Sequence, residues 1–193
     1  MAMRRLRQPI TPLAALRRGL TGKARPLGTG RSADQLRRLE AAVGRPEAAR
    51  RLGVSERTLR RYRAGGRPSR SNAERLAQVT ERAPEVRRAA VSARPADRRS
   101  RAGRMRSRGS YVRMSGDIGV TRDPKYRRRR TIGESTSIHL SGPVMGEILD
   151  AYESGDDERA HELLEEALGD EYAPGITIGD LDALEFLRDD PGR

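Results

Sequence analysis

Between Ser55 and Arg67 the chain sets five arginines, Arg57, Arg60, Arg61, Arg63 and Arg67, among the hydroxyls of Ser55 and Thr58. A guanidinium is a planar fork of donors that meets two phosphate oxygens, or the O6 and N7 edge of guanine, at the same time. The spacing assigns Arg57 and Arg61 to bases and Arg60, Arg63 and Arg67 to phosphates. Other chemistries are poorly supplied. There is no cysteine, hence no disulfide, thiolate metal site or cysteine nucleophile. The two histidines, His139 and His161, fall in a predicted strand and a predicted helix and read as structural. Asp117 and Asp123 lie among arginines and read as salt-bridge partners rather than metal ligands. Without a compact carboxylate cluster or a histidine general base, a nuclease or recombinase is disfavoured.

The arginines need a scaffold, and the residues before them describe one. Ala48-Ala49-Arg50-Arg51-Leu52-Gly53-Val54-Ser55-Glu56-Arg57-Thr58-Leu59-Arg60-Arg61-Tyr62 has the pattern of a helix-turn-helix. Gly53 suits a tight turn that needs positive φ. Ala49 is small enough for close approach of two helices, and Ser55 is a fitting N-cap for the second. Leu52, Val54, Leu59 and Tyr62 form the expected shared core. Arg57, Thr58, Arg60 and Arg61 then face outward on a helix sized for the major groove. One such unit per chain implies a dimer, or help from basic arms, for a specific site.

Composition organises the rest. Only 35% of residues are hydrophobic, with one Phe and no Trp, so small packed modules fit better than one large core. Residues 1–130 carry 37 Lys+Arg against 10 Asp+Glu, whereas residues 131–193 carry 3 against 17. A chain so polarised pairs a nucleic-acid half with a half of another kind. No apolar run approaches the ~20 residues of a membrane span. The expected fold is mostly α with a small α+β part. Residues 1–31 read as a basic, mostly disordered arm with a short helix near Leu13–Leu20. Residues 32–83 read as the helix-turn-helix domain, with Ser32 capping a first helix whose Leu36, Leu39 and Val43 face inward. Pro46 opens the next helix, and a fourth covers about Asn72–Arg82. Residues 84–110 read as an Arg-rich linker or, with equal weight, an ordered DNA-contacting helix. Residues 111–193 read as an acidic α+β module. Its expected parts are short strands on either side of a turn at Ser115-Gly116-Asp117, a basic loop over 121–134, a strand over Thr136, Ile138 and Leu140, and a helix from Pro143. A second helix over Asp156–Leu168, a short strand at Ile176–Ile178 and an acidic helix over Asp180–Leu187 follow.

Three segments in order resemble the terminal proteins that cap linear chromosomes and plasmids of Streptomyces-type actinobacteria. The first runs from Leu52-Gly53-Val54-Ser55-Glu56-Arg57-Thr58 to Tyr62. The second is the basic stretch leading into Ser137-Ile138-His139-Leu140-Ser141-Gly142-Pro143. The third is Leu149-Asp150-Ala151-Tyr152-Glu153-Ser154-Gly155, closing with Asp182-Ala183-Leu184-Glu185-Phe186-Leu187. The similarity spans roughly residues 33–188. It implies a protein primer, not an enzyme on its own. A side-chain hydroxyl attacks the α-phosphate of a deoxynucleotide, and the protein stays linked to the 5′ end. The metal ions of that displacement, Mg2+, belong to a partner DNA polymerase, and the chain binds no cofactor itself. The implied partners are telomeric DNA with its single-stranded overhang, the polymerase and a telomere-associated DNA-binding protein, with a homo-oligomer possible. The implied location is cytoplasmic, at nucleoid replicon ends.

In that family the priming residue is expected to be a threonine, and this sequence has no clean match to it. The basic loop offers Tyr126, Thr131 and Thr121. Tyr126 and Thr131 bracket Arg127-Arg128-Arg129-Arg130, whose charge would hold incoming phosphates. Phenols, with a pKa of about 10, ionise far more readily than aliphatic hydroxyls. Tyr126 and Thr131 therefore rank equal, ahead of Thr121. The alternative reading is an ordinary helix-turn-helix regulator, such as a plasmid copy-number or transfer repressor, with the C-terminal half for oligomerisation. A charge-driven architectural protein with little sequence preference is the third.

Overall fold

A computed structural model describes residues 10–22, 26–92, 101–121, 123–135 and 137–190. Among them are nine α-helices and a four-stranded antiparallel sheet, a mixed α and β architecture. The helices are α1 (Pro12–Thr21), α2 (Ser32–Val43), α3 (Arg45–Leu52), α4 (Glu56–Arg63), α5 (Arg70–Arg82), α6 (Pro84–Ser92), α7 (Arg101–Arg108), α8 (Gly142–Ser154) and α9 (Asp157–Glu171). The strands are β1 (Ser110–Gly119), β2 (Arg128–Ile132), β3 (Ile138–Leu140) and β4 (Thr177–Leu187). The chain divides into two compact units. One holds residues 25–90 with 153–155, the other residues 1–24, 91–152 and 156–193.

The smaller unit is helical. Leu36, Leu39, Ala48, Leu52, Leu59 and Leu76 are its buried centre, with Val43, Val54 and Val79 packed against it. These are the positions that the helical spacing predicts. Ser32, however, is the first residue of α2 rather than its cap, and Arg31 stands at the N-cap with no side-chain bond. Residues 26–30 belong to this unit too. Leu27 is buried, its carbonyl accepts from Arg38 Nη1 at 2.6 Å, and the Gly28 N–H donates to Glu81 Oε2 at 2.7 Å.

The larger unit is built on β1. β4 pairs along its length, while β2 and β3 pair with Met114–Ile118 and Ser110–Val112. Val112, Met114 and Ile118 join Ile132, Ile138, Ile178, Leu181, Leu184 and Phe186 in the core with α1, α8 and α9. The sheet departs from the expected pattern in three places. First, Ser115-Gly116-Asp117 is no turn, because β1 runs straight through it. Gly116 has φ +149°, and the Asp180 carbonyl comes within 2.5 Å of where a Cβ would stand, so the glycine serves a bulge. Second, Asp180–Leu187 is strand, not helix. Leu181 and Leu184 are three apart, which mimics a helical stripe. The register shifts opposite Gly116 add residues to β4, and that lets Ile178, Leu181, Leu184 and Phe186 share one face. Third, the basic loop over 121–134 is largely structured. Pro124–Tyr126 form a 3-10 turn and the arginine run enters β2.

In the arm over 1–31 the helix expected near Leu13–Leu20 is found, and the described residues around it are ordered and packed rather than a disordered arm. Pro12–Thr21 is helical, with the Thr11 hydroxyl accepting from Ala14 N–H and Gly22 closing it in the left-handed region. Ala15, Leu16 and Leu20 are fully buried, and Ile10 pairs its backbone with Leu181 at 2.9 and 2.8 Å. Pro12 falls in the first turn, where no N–H is missed, so it starts the helix instead of breaking it. Residues 1–9 and 23–25 lie outside the described residues.

The linker over 84–110 likewise holds α6 and α7. Residues 93–100 lie outside the described residues. Arg87 is 2% exposed and its Nε donates to the Glu81 carbonyl at 2.7 Å. Arg101 donates to the carbonyls of Gly19 and Phe186 at 2.8 and 3.1 Å. These arginines tie backbone together rather than contact DNA. Thr136 also lies outside the described residues. No described helix is long and apolar enough to cross a membrane.

Candidate nucleic-acid interface

α3 ends at Gly53, which has φ +65°. Val54 N–H donates to the Ala49 carbonyl and Gly53 N–H to that of Arg50, both at 3.1 Å, the paired closure of a Schellman turn. Ser55 is extended, and its Oγ accepts from Thr58 N–H at 3.2 Å, capping α4. The Thr58 hydroxyl lies 3.0 Å from the same Oγ, so both hydroxyls are engaged at the helix start. Leu59 and Tyr62 are buried, and the Tyr62 hydroxyl accepts from Asn72 Nδ2 at 3.0 Å. With one side of α4 fixed inward, Arg57, Arg60, Arg61 and Arg63 stand exposed, as does Arg67 beyond the helix.

Partners separate these arginines. Arg63 Nη1 lies 3.5 Å from Glu40, a carboxylate that also takes Arg45 at 3.4 Å. Arg61 lies over the Tyr62 ring, 5.4 Å from its centroid. Arg57, Arg60 and Arg67 make no ion pair or side-chain hydrogen bond with a described residue. Arg60, Arg61 and Arg63 also occupy the last turn of α4, where the helix dipole favours cations. A surface of this kind can bind anions without first breaking bonds of its own.

Two features of this region were not legible in the sequence. Arg75 on α5 reaches the turn, its Nη1 2.9 Å from where a Gly53 Cβ would stand. Arg75 is exposed and its tip can swing aside, so Gly53 is required by its positive φ rather than by space. On α3, Glu47 accepts from both Arg50 and Arg51 at 2.7 Å, and Arg51 forks onto both oxygens of Glu85 at 2.9 and 2.8 Å. The arginine bonds hold the Glu47 carboxyl down to about 2, and the Arg51 fork lowers Glu85. Each partner lies too far along the chain, or is too ordinary a glutamate, to stand out by type.

In the larger unit the structure separates the candidate hydroxyls. Tyr126 is 43% exposed at the end of the 3-10 turn. Lys125 Nζ lies 4.9 Å from its ring centroid and 2.9 Å from Asp123 Oδ2. Thr121 is exposed, and its Oγ1 accepts from Asp123 N–H at 3.3 Å. Thr131 sits inside β2 opposite Ser115, half-buried, so it is not on a free loop.

The arginine run divides in the same way. Arg127 and Arg128 are exposed and unpaired among the described residues. Arg129 pairs with Asp182, and Arg130 Nε donates to the Ile118 carbonyl at 3.2 Å. The expectation of four equivalent phosphate contacts is thereby reduced to two free cations. Asp123 does pair with a cation, as the sequence predicts for a scattered carboxylate. His139 stacks on Tyr111 with centroids 4.7 Å apart, and His161 lies 3.8 Å from Glu165. Among the described residues no three His, Asp or Glu group as a metal site.

Neither a protein family, nor a curated protein, nor a solved structure matches this chain. The resemblance to terminal proteins thus stands on the three segments themselves.

Proposed function

We propose that the chain is a helix-turn-helix DNA-binding protein that serves as the protein primer of a linear replicon end. The observation that carries the DNA reading is the exposed face of α4. Arg57 and Arg60, with Arg67 beyond the helix, have no acidic partner there, beside a turn closed by Gly53 and capped by Ser55. Arg57 and Arg61 read bases, and Arg60, Arg63 and Arg67 hold phosphate.

The priming reading follows from the resemblance and is supported by the surroundings of Tyr126. Its hydroxyl is exposed, and Arg127 and Arg128 beside it are free to hold the triphosphate of a deoxynucleotide. The phenolic oxygen forms a bond to the α-phosphorus, the bond to pyrophosphate breaks, and the phenolic proton leaves to solvent. The partner polymerase supplies the Mg2+ that stabilises this step. Thr121 ranks second because it is exposed, and Thr131 third because its strand holds it.

The test is label transfer. The purified chain is incubated with labelled deoxynucleotides, the host replicative polymerase, magnesium and single-stranded terminal DNA. Label that survives denaturing electrophoresis is the expected result, and it should vanish in Tyr126→Phe but persist in Thr131→Val and Thr121→Val. Loss in a threonine variant alone moves the nucleophile to that threonine. No label from a polymerase active on a control terminal protein, with DNA binding intact, leaves a regulator in place of a primer.

A further inference from the structure

α9 carries Glu158, Glu162, Glu166 and Asp170 at four-residue steps, all exposed. Like charges at that spacing repel within a helix. Asp170 and Glu171 also fill its last turn, where the dipole disfavours carboxylates and no basic residue compensates. The one arginine on the helix, Arg159, reaches Glu162 at 3.2 Å. Glu158 suits the first turn, but the spacing works against Glu162 and Glu166 and the C-terminal end effect against Asp170, so helix stability does not account for that part of the row.

The row also borders a cavity. Glu162, Glu166 and Asp170 line an open cleft of about 730 Å³, with Pro174 and Ile176 as apolar parts of its wall. Carboxylates beside an apolar surface suit an arginine, whose methylene stem packs while its guanidinium forks onto oxygens.

We infer that α9 docks the α4 arginine face of a second copy of this chain. The match is in charge and in step. Glu162 and Glu166 are four residues apart, as are Arg57 and Arg61, and that separation is about 6 Å along either helix axis. Each copy carries both surfaces, so α4 of one copy meets α9 of another, either reciprocally in a two-fold dimer or head-to-tail from copy to copy. Resting on the DNA-binding reading proposed above, the contact would compete with DNA for α4, and a duplex would release it.

Sedimentation velocity on the full chain tests this. The expected result is association that grows with protein concentration at 50 mM salt and is lost at 500 mM. Glu162→Lys with Glu166→Lys should weaken it by about tenfold or more, as should Arg57→Glu with Arg61→Glu. These positions are exposed, and circular dichroism checks that the variants remain folded. Mixing the two charge-reversed proteins should restore association, because every α4–α9 contact between unlike copies is again complementary while contacts between like copies stay repulsive. A wild-type monomer at every concentration and salt overturns the proposal, as does a lack of restoration on mixing. Higher DNA affinity of the Glu162→Lys, Glu166→Lys protein without any self-association would place the contact within one chain, and that also overturns it. Self-association that DNA does not reverse leaves docking intact and removes only the competition.

Discussion

Two runs of arginine, one in each unit, look alike in the sequence and differ in the fold. In the run from Arg57 to Arg67, three of five side chains have no partner among the described residues. In the run from Arg127 to Arg130 the strand takes two of four, Arg129 to Asp182 and Arg130 to the Ile118 carbonyl. Buried Arg87 and Arg101 go further and donate to backbone carbonyls. A count of positive charge therefore says little about binding. What distinguishes a binding arginine from a structural one is whether the chain already supplies its oxygen.

That contrast is broken most directly at α4. Replacing Arg57 and Arg61 together by alanine removes the two forks proposed to read bases. Each is worth about 1–3 kcal/mol of discrimination, so affinity for a specific duplex should fall by roughly a hundredfold or more. Stability should fall only by the cation–π contact of Arg61 with Tyr62, about 0.5–1 kcal/mol at an exposed site, so the melting temperature should move little. A fluorescence-anisotropy titration checks the first statement and a thermal melt the second. If affinity is unchanged, the free arginines of α4 do not read DNA.

Arg129→Ala is the converse. Asp182 is only 8% exposed, and the substitution strands its carboxylate. An unsatisfied buried polar group costs about 1–3 kcal/mol, so denaturant unfolding of the larger unit should shift by that order. Duplex affinity should stay as in the wild type. Large loss of binding with unchanged stability would reverse the roles given to the two runs.

The four helices over 32–82 of the smaller unit were legible, whereas residues 26–30 and α6, whose Leu27, Val86 and Ala90 join its core, were not. Its helices are local, their stripes have period 3.6, and Gly53 and Ser55 mark their junction by residue type. The larger unit was legible only in part, for reasons that lie in tertiary structure. Arg128 to Ile132 form a strand because Met114–Ile118 lie beside them, not because four arginines favour one. Leu181 and Leu184 imitate a helix because bulges in β4 are invisible in the spacing of apolar residues. α1 was legible as a short helix near Leu13–Leu20, but its packing was not: Ala15, Leu16, Gly19 and Leu20 form a stripe narrow enough to pack on Phe186. At the candidate sites, residue types could be read off directly. Which cations were already committed depended on Asp182 and Glu40, carboxylates that nothing in the sequence singles out.

The finest version of the comparison lies within the smaller unit, between α3 and α4. The arginines of α3 are paired: Glu47 takes Arg50 and Arg51, and Arg51 spans to Glu85. Their pairing predicts a pH dependence. Glu47 falls from an ordinary 4.5 to about 2 on folding, and Glu85 is lowered as well. A carboxylate depressed in the folded state contributes stability that is fully present above its unfolded value. That contribution fades as pH drops from about 4.5 towards 2. The glutamate is solvent-exposed and its pairs are screened, so the effect is small and weaker in salt. Thermal melts of wild type and Glu47→Gln should differ slightly at pH 6, differ progressively less below about pH 4.5, and differ less at pH 6 in 0.5 M salt. An advantage that does not shrink between pH 4.5 and about 2 would show that Glu47 holds α3 by packing instead of charge. If the difference does vanish, Arg50 and Arg51 are occupied at neutral pH, and the proposed DNA contacts of this unit fall to the arginines of α4 and to Arg67.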